Sequence, residues 1–184
     1  MGAVTAASGF GRTLAGVGVT FLAFLAIHVL AGLTAVISGP LAATAPKRRG
    51  RHTRIGTVCY WAIAAVFGTA VAMTAMRPAR DWYLALLGAL AFLLATAGRH
   101  ARRHPRSWPW RDRLPSHAPH IATMGSSYTV LLTVFYVDNG KNLPLWERLP
   151  VAAYWLLPAI VTTPIIARSI HRHRRPKVLG PRAG

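Results

Sequence analysis

The sequence predicts an all-α fold: a polytopic transmembrane helical bundle of about five spans, N-terminus outside and C-terminus in the cytoplasm. Three observations predict it. First, 53% of the 184 residues are hydrophobic while the formal net charge is +18, and the charges are confined to short blocks between apolar runs, a membrane-protein pattern. Second, the run from Thr13 to Pro46 holds no Lys, Arg, Asp or Glu, and about 18 such residues suffice for a helix to cross the hydrocarbon core. Third, 17 of the 22 Lys and Arg fall in alternate connections. The length corresponds to about one domain.

Span one is expected over about 14–37, ended by Ser38-Gly39-Pro40, because Pro cannot continue a helix and Gly permits positive φ. Lys47, Arg48, Arg49, Arg51 and Arg54 form the first basic loop. Span two covers about 55–76, with Tyr60 and Trp61 as interfacial anchors. Arg77-Pro78-Ala79-Arg80-Asp81 reads as a tight connection, and span three covers about 82–98, with Trp82 and Tyr83 at an interface. A basic stretch from Arg99 to Arg106 and the Trp108-Pro109-Trp110 segment read as a loop lying on the membrane surface. Pro119 suits the first turn of span four, about 120–137. Asp138 to Asn142 has turn composition, span five covers about 150–167 with Pro158 and Pro164 as kinks, and 168–184 is a basic tail.

The loop after span one, the loop after span three and the tail hold the 17 basic residues; the other side has only Arg12, Arg77, Arg80, Lys141 and Arg148. The positive-inside rule then sets the orientation. Basic loops at an anionic leaflet imply the lipid bilayer and anionic lipid headgroups as partners. Nucleic acid is not expected, since the apolar runs leave no soluble domain to present a groove-binding surface. Cys59 is the single cysteine, so no internal disulfide forms. A cleavable signal has an apolar region of about 7–15 residues; the first run is more than twice that, so it reads as an uncleaved span.

The eight histidines carry the functional question. His28 lies within span one, where an imidazole is costly without a partner. His52 precedes span two and His120 opens span four. His28, His52 and His120 are candidate ligands for haem b or a transition metal, since neutral imidazole suits Fe, Cu and Zn. Gly32, one turn below His28, leaves room on that face, and Met124 and Tyr128 complete a candidate pocket on a stripe of span four that also holds His120 and Ser127. The competing reading makes these histidines packing groups, His28 bonding a carbonyl or Tyr60. His100, His104, His117, His171 and His173 read as solvated loop or tail residues. All four acids lie in loops, which argues against a pump-type proton relay. No Gly-x-Ser-x-Gly elbow, phosphate loop or Cys-x-x-Cys is present.

The residues His28-Val29-Leu30-Ala31-Gly32, Gly39-Pro40, Arg51-His52-Thr53-Arg54-Ile55-Gly56 and Tyr60 resemble a bacterial family of membrane proteins classed as a domain of unknown function. Its pattern is a helical His, a Gly-Pro end, a basic His-Arg turn with Gly, and a later helix-opening His, here matched by His120. Thr53 interrupts the His-Arg adjacency. The resemblance spans about residues 24–136 and implies no reaction. Histidines in and at the ends of a small bundle are also similar, at the level of fold, to b-type cytochromes. High Ala, Arg and Gly usage points to a GC-rich bacterium and so to its inner membrane. Two function classes follow, with catalytic residues unassigned and enzyme status open: a redox or metal-binding membrane protein, with a homo-oligomer or a membrane redox partner, and a non-enzymatic small transporter subunit or scaffold.

Overall fold

The computed structural model describes residues 2–45, 50–104, 115–144 and 146–172, and of 2–17 and 78–81 the backbone only. Among the described residues there are five α-helices and no strand: α1 (Gly2–Thr44), α2 (Arg51–Met76), α3 (Pro78–Arg103), α4 (Ala118–Asn139) and α5 (Val151–Arg172), with a 3-10 turn at Gly140–Asn142. The chain divides into two compact units, Met1–Leu93 and Leu94–Gly184.

In the first unit α1 and α2 pack as an antiparallel pair. Contacts from Ala42 back to His28 on α1 meet residues from His52 forward to Thr69 on α2. The inward stripe of α1 is made of small residues three or four apart, Ala35, Ser38 and Ala42, all buried. Small side chains let membrane helices approach closely. Opposite them lie buried Cys59, Ala62, Ile63 and Val66.

The expected stop at Ser38-Gly39-Pro40 does not occur: α1 runs through Pro40 to Thr44. Pro40 lies on the exposed side of the helix, and membrane helices tolerate Pro where hydroxyls and neighbours re-satisfy the backbone. The reversal comes later, at Gly50, whose φ of 123° suits Gly alone.

The α2–α3 joint is tighter than expected. Only Arg77 separates the helices, its N–H bonded to the carbonyls of Met73 and Thr74. Pro78 then opens α3, where its missing N–H leaves no intrahelical bond unmade. The Arg77 guanidinium sits 3.9 Å over the Phe21 ring. Phe67 stacks on Phe92 at 5.5 Å, and a Cβ on Gly88 would touch Phe67, so α3 returns along α2. Tyr60 lies about three turns into α2 and packs on Phe92 at 5.8 Å. It thus also ties α2 to α3.

In the second unit α4 meets the end of α3 at Gly98 and runs antiparallel to α5. A Cβ on Gly98 would come within 2.8 Å of Met124 Cγ, and one on Gly125 within 2.6 Å of Ile166. Thr129 and Thr162 share a hydroxyl–hydroxyl bond of 2.6 Å. Gly140 abuts the Tyr154 ring, and Tyr154 donates its hydroxyl proton to the Trp146 carbonyl at 2.7 Å, fixing the α4–α5 connection. Asp138 and Asn139, expected in a turn, are the last residues of α4. The first residues of the expected tail, Arg168 to Arg172, are helical; 173–184, Lys47 to Arg49 and the Trp108-Pro109-Trp110 segment lie outside the described residues.

Among the described residues four helical segments are long and apolar enough to cross a membrane: Gly18–Thr44, Arg51–Met76, Trp82–Arg103 and Val151–Arg172. Their outer faces expose large apolar side chains such as Leu30 (65%), Leu93 (63%) and Ile160 (62%). Water would not tolerate so much apolar surface and lipid does, so the chain is a multi-pass membrane protein. α4 differs: it carries more hydroxyl side chains, and every residue from Ala118 to Val134 is at least half-covered.

Candidate functional site

His28 faces α2 from α1, and its Nδ1 lies 2.9 Å from Thr69 Oγ1. Thr69 already donates its one hydroxyl proton within its own helix, to the Ala65 carbonyl at 2.7 Å. A hydroxyl has one proton and two lone pairs, so His28 Nδ1 is the donor. Thr69 is a partner that the sequence did not suggest. Gly32 has no atom within 4 Å of an added Cβ.

His52 is not in a loop. It is the second residue of α2, and its Nδ1 lies 2.7 Å from the Ala42 carbonyl of α1. Ala42 is in the last turn of α1, where carbonyls lack a partner in their own helix. The imidazole therefore caps one helix from the start of the next.

His120, in the first turn of α4, lies with Nδ1 2.8 Å from the Gly98 carbonyl of α3. The absent side chain at Gly98 is what admits Thr123 and Met124 to this close approach. On the same stripe Ser127 is fully buried, and Met124 and Tyr128 are half-buried.

The three histidines thus share one chemistry. Each holds two helices together through Nδ1, and a carbonyl or committed hydroxyl partner makes Nδ1 the protonated nitrogen. When such a ring is neutral its lone pair is on Nε2. The structure does not bring His28 and His52 together. His52 is bonded at Ala42, 14 residues along α1 from His28, a rise of about 21 Å, so one ion cannot take both. Among the described residues no three His, Cys, Asp or Glu side chains are grouped to hold a metal ion.

Another pair escaped the sequence reading. His100 and His104, read as solvated loop residues, are exposed, but His100 lies in the last turn of α3 and His104 directly follows it, with ring centroids 4.8 Å apart. The signal was their spacing of four, which puts two side chains on one helix face. It was discounted because helix three was expected to end near Gly98. The chain matches no family model, no curated protein and no solved structure.

Proposed function

We propose that this chain is a non-enzymatic component of the bacterial inner membrane, a scaffold or small transporter subunit, in which His28, His52 and His120 act as ties between helices. The observation that carries this reading is the Nδ1 bond each makes to an oxygen on the neighbouring helix, at 2.9, 2.7 and 2.8 Å. Each bond pairs a polar group of one helix with a ring on the next, which is the structural use of an imidazole in a membrane bundle.

The five-span arrangement belongs to the same proposal. Although α4 is not among the four segments apolar enough to cross by composition, its hydroxyls are satisfied inside its unit: Thr123 donates to Pro119, Thr129 to Gly125 and Thr133 to Thr129. It also packs antiparallel along α5, from Gly125 against Ile166 to Gly140 against Tyr154. With α4 crossing, the basic connections fall on one side, which places the N-terminus outside and the C-terminus in the cytoplasm, with anionic lipid headgroups as the surface those connections meet.

One observation favours a second reading. Nδ1 anchored to an oxygen, with the lone pair on Nε2, is how proteins orient metal-ligating histidines, so His28 and His120 stay candidates for haem b or a transition metal. An ultraviolet–visible spectrum of tag-free, detergent-purified protein, oxidised and then dithionite-reduced, separates the two. The tie reading expects no Soret band from cells supplied with haem, with His28→Ala lowering the unfolding midpoint. A Soret band that shifts on reduction and is lost in His28→Ala would overturn it.

A further inference from the structure

We propose that His100 and His104, at the end of α3, form a two-histidine chelate for a divalent transition metal of the Cu2+, Ni2+ or Zn2+ kind. The site is separate from the three tie histidines and does not depend on their role.

The geometry carries the proposal. His104 lies just past Arg103, the last residue of α3, yet its N–H bonds the His100 carbonyl at 2.8 Å, so the helical turn extends to it. Side chains four apart on a turn lie one above the other. Both are exposed, and their ring centroids are 4.8 Å apart with the planes tilted by 35°. Two imidazoles sharing an ion at about 2.1 Å per bond, with about 90–110° between the bonds, hold their centroids about 4.6–5.3 Å apart. The observed separation falls inside that window. A linear two-coordinate ion would need about 6.5 Å on the same bond length, so the rings are spaced for cis coordination, with the other positions left to water or a partner group.

The neighbours set the selectivity. Arg99, Arg102 and Arg103 share the same turn, and no acid lies between Trp82 and Trp110. Long-range electrostatics therefore repel cations, and only direct nitrogen coordination holds one. Mg2+ and Ca2+, which need oxygen ligands, are excluded, and among first-row divalent ions Cu2+ binds tightest.

The test uses tag-free full-length protein in detergent, stripped with EDTA and titrated with CuCl2, followed by electron paramagnetic resonance. One tight equivalent with coupling to two imidazole nitrogens is expected. Support groups around a metal ligand are worth about 10–100-fold in affinity, so loss of a ligand itself, in His100→Gln or His104→Gln, should weaken binding by at least about tenfold. The double variant Arg102→His with His104→Gln keeps the histidine count but puts the rings on opposite faces, and should bind as weakly as His104→Gln. Tight binding that survives either single substitution, or is restored in the double variant, would overturn the proposal. Carbethoxylation of the unmutated protein, mapped by mass spectrometry, gives an answer independent of any variant's folding. Cu2+ should protect His100 and His104 first, and protection of other histidines instead would count against the site.

Discussion

His52 shows what a single side chain does here. It reaches from the first turn of α2 to a carbonyl that the last turn of α1 leaves without a partner of its own. Removing the ring strands that carbonyl, at a cost of about 1–3 kcal/mol if water does not replace it. His52→Ala should therefore lower the detergent unfolding midpoint, whereas His52→Asn, which keeps a short donor, should recover part of it. Equal midpoints for all three proteins would remove the cap from the account. At this scale the sequence was half legible. His28 stands out because it interrupts an apolar run, but its partner Thr69 is 41 residues away, and nothing local marks one threonine among several. His120 was visible because it opens an apolar run; Gly98, which makes room for its neighbours, was not, because a glycine in an apolar run carries no sign of which helix approaches it.

The helices were legible as apolar runs and misjudged at their ends. Hydrophobicity stops where the bilayer stops, but a helix does not. Arg51, Arg102 and Arg103 are helical, and Arg is among the better helix formers, so the basic flanks extend the spans instead of ending them. Pro40 misled for a related reason: a rule taken from aqueous helices was applied to one in lipid. α4 is the element on which the topology turns. In a Cys59→Ser background, Lys141→Cys should react with an impermeant maleimide added to intact cells, and Ser116→Cys only after permeabilisation. Both positions are exposed and flank α4. The same side for both would mean that α4 does not cross, leaving four spans.

For the whole chain, composition revealed the solvent and charge placement suggested the sidedness, while the order of pairing needed coordinates. α1 with α2, α2 with α3, and α4 with α5 run antiparallel within their units. That serial pattern suits the short connections between them. It also bears on how the protein is made. With Arg77 alone between Met76 and Pro78, α2 and α3 have no slack. Neither can move sideways out of the translocation channel and settle among lipids while the other waits in the aqueous pore. Biogenesis must therefore hand this part of the chain to the bilayer as a hairpin, in one event. A flexible Gly-Ser spacer after Arg77 should uncouple the two steps, read as an α2-only intermediate in arrested nascent chains; an unchanged insertion profile would mean that the joint does not set the order.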